Sequence, residues 1–325
     1  MKPNIAGGLH ATLDLLDEGF ALYRRSFTSF VLVGLAWLTP IAIATGLLIA
    51  NAERLGPGWF IVIFLAGLIL MLPLLIYLIG GLSRAANAAI EGRPINLHEA
   101  LALHPGVVAK AGCFTVTYGI LMQFVSSLLG IVCICPLYVM GGIASVALVA
   151  APDSSGVVQA VLLIVIGLLF TGMYLLGFII GGIGYSSLLY ALQPWLIERL
   201  RFSEAMERSV DLIRFRLRRN LLAWGLSALL VFAVGIPVSL AVGVLIPLPA
   251  LLLLGEESLF AQGIAGTAWL LGLALVLPPW FISMTLLYRR NLAARSGADL
   301  ARRIEAWREK QELRAESREL RADGR

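Results

Sequence analysis

Charge is what this chain has least of. Charged side chains make up 14% of its 325 residues, against about 25% in soluble domains. So little charge cannot cover a soluble surface. With 59% hydrophobic residues and a mean hydropathy of +0.88, a soluble globular protein is excluded. Cysteine is scarce too: Cys113, Cys133 and Cys135 all lie in apolar surroundings. A Cys-x-Cys spacing without a second pair argues against both a disulfide framework and a metal site, and small core-filling residues are expected. The three histidines, His10, His98 and His104, cannot share one helix-borne site, since a spacing of six does not bring two side chains to one face. Phosphate loops of Walker type are missing, and no Ser/Cys–His–acid set is discernible. Glu256 and Glu257 are adjacent on a loop and read as a solvated pair. The sequence therefore predicts no metal, no cofactor and no catalytic residue, and a chain that is not an enzyme.

What is present is a series of apolar runs, each near or above the roughly 20 residues a helix needs to cross a bilayer. They fall at about 30–50, 60–82, 107–130, 157–190, 221–246 and 264–287. The only ionisable side chain inside them is Lys110, near an end where it can snorkel. A proton relay through the spans has no acid or histidine to use. Pro73, and Pro278 with Pro279, predict kinks. Residues 131–150 carry no charge but hold Pro136, Gly141 and Gly142; they read as a re-entrant segment or an additional span, because 107–150 is too long for one crossing. Gly177 and Gly181 form a GxxxG pair suited to close helix packing in lipid.

The bases lie to one side. Arg24, Arg25, Arg84, Arg93, Lys110, those of 199–219 and those of 289–325 fall on one set of segments, while the opposite loops hold only Arg54. This is the positive-inside pattern, and it predicts that both termini are cytoplasmic. No cleavable signal peptide is expected, since Asp14, Asp17 and Glu18 interrupt the start and the first apolar run is long enough to span. Three amphipathic segments precede spans. In the first, Thr12 is the expected cap, and Leu13, Leu16, Phe20, Tyr23 and Phe27 recur at helical spacing. In the second, Asn96 is the expected cap, with Glu99 three residues on. In the third, Ser203 is the expected cap and Met206, Val210, Ile213 and Leu217 form the stripe. Such helices lie in the interface with the stripe toward the acyl chains. Arg24, Arg25, Arg208, Arg214, Arg216, Arg218 and Arg219 are the candidates to hold anionic lipid head groups, at about 1 kcal/mol each near an anionic leaflet.

With Asp14, Glu99 and Glu204 in register, Leu16, Leu101 and Met206 coincide, as do Arg24 and Arg214. The expectation is an all-α polytopic membrane domain over 1–290, built of three parallel repeats (about 12–94, 95–200 and 201–290). Each repeat is an interfacial helix plus a hairpin. A charged, helix-favouring cytoplasmic tail follows at 291–325. The repeats share one orientation, unlike inverted transporter repeats. The stretches LLDEGFALYRRSF, PWLIERLRFSEAMERSVDLIRFRLRRNLLAWG and LLYRRNLAARSGADL resemble a group of bacterial six-span membrane proteins. That group is similar to the membrane domain fused to some glycerophosphoryl diester phosphodiesterases. In those relatives catalysis belongs to a separate soluble barrel, so the resemblance carries over no catalytic residue. The function expected is a non-enzymatic scaffold in the bacterial inner membrane. It would bind membrane lipids, anionic ones above all, or a partner subunit at its cytoplasmic face, and no nucleic acid. The alternative is a lipid or amphiphile transporter, or the membrane subunit of an export complex.

Overall fold

The computed structural model describes residues 5–150, 156–255 and 257–297; the Glu256 half of the acidic pair and residues 298–325 of the tail lie outside them. Every regular element among the described residues is a helix: α1 (Ile5–Arg25), α2 (Phe27–Ala50), α3 (Ala52–Ile90), α4 (Leu97–Leu101), α5 (Pro105–Ala150), α6 (Gly156–Ala191), α7 (Gln193–Leu196), α8 (Phe202–Phe215), α9 (Leu217–Leu245), α10 (Leu248–Leu254) and α11 (Leu259–Arg295). Six stretches are long and apolar enough to cross a membrane: Phe27–Ala50, Ala52–Ile90, Pro105–Val125, Leu163–Leu196, Leu217–Leu245 and Leu259–Arg295. They fall on the six apolar runs of the sequence, and the chain is a multi-pass helical membrane protein.

Helix α11 is the centre of the bundle. Two-thirds (67%) of its most apolar stretch is buried, against 33% or less in each of the other five. Its main neighbours are α2 and α9. Lipid is as apolar as leucine, so helices associate where small residues let backbones approach. A Cβ on Gly46 of α2 would lie 2.9 Å from the Gly263 carbonyl oxygen, so glycine is required at that crossing, and one on Gly272 would lie 3.2 Å from the Val242 Cβ of α9, a tight fit.

Pro278 and Pro279 both lie inside α11. Together they remove the amides three and four residues beyond Leu275, the two a helix could offer its carbonyl. The Tyr23 hydroxyl of α1 donates to that oxygen at 2.8 Å. Burial pushes the phenol up to about 12, so the donor keeps its proton at physiological pH.

α1 is held on the protein rather than afloat in the interface. As it runs from Glu18 through Gly19 to Tyr23, its partners on α11 run back from Arg290 through Ser283 to Leu275. Thr12, Leu15, Leu16, Gly19 and Tyr23 are buried, while Leu9 and Leu13 stay exposed. The apolar surface of α1 is thus divided between a protein face and an outer face. α8 repeats this division: Ala205, Ser209 and Leu212 are buried, and Met206 and Val210 are exposed. The cap of α8 falls at Arg201, whose N–H donates to the Glu204 carboxylate, with Ser203 inside the first turn. At α4 the Asn96 side chain accepts from the His98 N–H at 3.1 Å and caps as expected.

The second hairpin is the main departure. α5 is one unbroken helix of 46 residues, about 69 Å at 1.5 Å per residue. Residues 131–150 neither re-enter nor turn back as a span of their own; they continue the helix. Pro136, Gly141 and Gly142 do not break it.

Candidate functional site

Two features stand out: an apolar groove on one flank and a plane of arginines at one end. The groove has a volume of about 880 Å³ and lies between α6, α9 and α11. Its lining runs from Met173 to Tyr185 on α6, Ala228 to Leu240 on α9 and Trp269 to Trp280 on α11. That is about 18 Å of helix, close to the roughly 15 Å depth of one hydrocarbon leaflet. The Phe178 and Phe232 rings meet in it at 3.8 Å between centroids. Toward the arginine-rich end, the Trp280 indole donates to the Ser186 hydroxyl at 2.9 Å, and Ser186 donates to the Trp224 carbonyl at 3.2 Å. Ser239 also lines the groove, and its hydroxyl, shielded from solvent, has no hydrogen-bond partner among the described residues.

Glycine opens this space. A Cβ on Gly177 or Gly181 would meet no atom of the described chain within 4 Å, whereas one on Gly182 would lie 2.4 Å from Ala228 Cβ. The close approach of α6 to α9 therefore falls on Gly182, and the GxxxG pair forms wall, not contact.

The other feature is where the end of α11 ties three helices. Arg289 pairs with Glu91 of α3 and Arg290 with Glu18 of α1. Arg295 makes a two-point contact with Asp211 of α8, both distances 3.0 Å. The Arg93 side chain also bonds Glu91, and with Arg289 it holds that carboxyl below the usual glutamate value. Beneath these pairs lies a buried polar layer that sequence reading missed. The Asn291 amide donates to the Tyr190 hydroxyl at 3.0 Å and to Asn220 Oδ1 at 2.8 Å. The Asn220 amide donates to the Leu212 and Ile213 carbonyls at 3.2 Å each, serving the open end of α8. Gln193 donates to Ser83 and accepts from Thr285, both at 3.2 Å, joining α7, α3 and α11. The available signal was uncharged polar residues at the ends of the apolar runs.

The seven candidate arginines are not one cluster. Arg24 and Arg25 close α1, Arg208 and Arg214 ride on α8, and Arg216, Arg218 and Arg219 turn the corner into α9. None forms an ion pair with an acidic side chain among the described residues. Arg216 lies over the Phe215 ring, 5.0 Å from its centroid. The His104 ring accepts from the Gly106 N–H at 3.1 Å, a role at the start of α5. Among the described residues no three His, Cys, Asp or Glu side chains are grouped to hold a metal. Compared with models of protein families, with curated proteins and with solved structures, the chain finds no match in any of the three.

Proposed function

We propose that the protein is a lipid-seating scaffold of the bacterial inner membrane with no chemistry of its own, taking an anionic lipid at its arginine-rich, cytoplasmic end. The groove between α6, α9 and α11 carries this reading. It runs along the spans, is about one leaflet deep and is apolar, which suits an acyl chain. The positive-inside rule places the arginines in the cytoplasm. The element order supports the parallel three-repeat architecture, α1–α2–α3, then α4–α5–α6, then α8–α9–α11.

Head-group choice comes from the bases. An acyl chain exchanges one apolar environment for another on entering the groove, so the groove positions more than it attracts. Three arginines at about 1 kcal/mol each give about 3 kcal/mol, or roughly two orders of magnitude in preference. The test is native mass spectrometry of protein purified from mixed phosphatidylglycerol and phosphatidylethanolamine. The wild type retains phosphatidylglycerol. Gly181→Leu fills the groove and loses the lipid while staying folded. Arg216→Gln with Arg218→Gln and Arg219→Gln keeps a lipid but loses the preference. Equal retention of both lipids by the wild type would overturn the proposal. Passage of an amphiphile is the second reading, favoured by the groove's lateral opening; it requires flux in proteoliposomes that Gly181→Leu abolishes.

A further inference from the structure

A second, smaller cavity of about 110 Å³ lies on another side of the arginine-rich end, between the end of α3, α4 and the α7–α8 link. Three guanidinium groups line it, Arg84, Arg93 and Arg199, together with the single carboxylate Glu99. Arg84 is fixed from behind. Its Nε donates to the Leu196 carbonyl at 3.3 Å, and its Nη1 donates to those of Glu99 and Ala102 at 3.2 and 2.8 Å. Of five N–H donors these use three, and the two on Nη2 have no partner among the described residues. Arg93 is held by Glu91. Arg199 is exposed and makes no ion pair among the described residues.

A further observation points to a ligand. Arg199 has φ +55°, the only non-glycine residue with positive φ among those described. An arginine at a position that glycine fills without steric cost keeps its side chain there against the backbone's preference. Asn87 also lines the cavity, but its Oδ1 is shielded from solvent, and its amide donates to Glu91 at 3.3 Å. The cavity thus has three cationic side chains on its wall. Its volume has room for a tetrahedral oxyanion.

We infer that this cavity is a phosphate site, with Arg84, Arg93 and Arg199 on the phosphoryl oxygens. Arg84, pinned by three carbonyls, presents its remaining edge without reorganisation. Arg199 closes the site from the α7–α8 link. The site shares no residue with the α6–α9–α11 groove and does not depend on it. Its phosphate can belong to a hydroxylated lipid head group or to a free phosphate.

The test is thermal unfolding of the full chain in maltoside micelles, titrated separately with inorganic phosphate, phosphatidylglycerol and phosphatidylcholine. Wild-type Tm rises with phosphatidylglycerol if the source is lipid, with inorganic phosphate if it is free, and with neither if the inference is wrong. Arg199→Gly removes the steric cost and the cation together. Its Tm without ligand equals or exceeds that of the wild type, and its apparent affinity falls at least tenfold. Arg93→Gln also weakens the response. Arg218→Gln with Arg219→Gln removes bases assigned to the groove, and the phosphate or phosphatidylglycerol response left in that background still falls with Arg199→Gly, which separates this site from the groove. A Tm response undiminished in Arg199→Gly, or an equal response to phosphatidylcholine, overturns the inference.

Discussion

Tyr23→Phe removes one oxygen atom, and its effect should depend on two prolines more than 250 residues away. The Leu275 carbonyl has no helical amide to serve it, because residues 278 and 279 are both proline, and the Tyr23 hydroxyl is its donor at 2.8 Å. Orphaning a buried polar group costs about 1–3 kcal/mol in proteins generally, but hydrogen bonds between membrane helices average about 0.6 and reach about 1.7 kcal/mol. About 1 kcal/mol is therefore expected for Tyr23→Phe. Pro279→Ala restores an N–H four residues beyond Leu275, so in that background the hydroxyl becomes redundant and its loss should cost a few tenths of a kcal/mol. The coupling across the cycle should be about 0.5–1.5 kcal/mol, above the roughly 0.3–0.5 kcal/mol scatter of independent sites. Reversible unfolding in mixed micelles measures all four corners. Equal cost of Tyr23→Phe in both backgrounds would refute the compensation.

Asn291→Ala breaks its bonds to Tyr190 and Asn220; at membrane values this costs about 1–3 kcal/mol. The same unfolding assay should show part of that cost missing when Asn220 is already alanine. Glu91 is held below its ordinary value by Arg93 and Arg289, so its contribution is present above that ordinary value and is lost as pH falls through the lowered one. The stability difference between wild type and Glu91→Gln, followed from pH 7 to 3, should shrink over that window; a difference independent of pH contradicts the pairing. In a cysteine-free background, Arg54→Cys should react with a membrane-impermeant maleimide from outside the cell and Arg201→Cys should not; the reverse pattern overturns the orientation.

Much of the fold was legible because bilayer-crossing helices announce themselves by length. The six runs and the Asn96 cap could be read directly. The role of α11 could not, because hydropathy does not tell a helix facing protein from one facing lipid when both surroundings are apolar. Its mark was composition of another kind: Gly263 and Gly272 where neighbours approach, and buried Ser283, Thr285, Tyr288 and Asn291 toward its end. The stripes on α1 and α8 were read as one face each, but each helix has two partners. Tyr23 belongs to the protein and Leu13 to the outer face, though the same spacing joins them. Gly177 and Gly181 show the limit of a motif: small residues allow a close approach, and equally allow a groove when the contact falls one residue on at Gly182.

The arginines separate into two groups by the same geometry. Arg289, Arg290 and Arg295 are matched by Glu91, Glu18 and Asp211. Exposed pairs of this kind are worth at most about 1 kcal/mol each, so they add little to stability. What they do is neutralise the end of α11 and set its register against α3, α1 and α8. The bases at the end of α1 and along α8 and α9 have no such matches among the described residues. A bound anion would therefore meet little competition from the protein's own carboxylates along the α8–α9 corner, while at α11 it would have to displace them. The positive-inside pattern treats all these arginines alike; the pairing shows which of them have no carboxylate partner among the described residues.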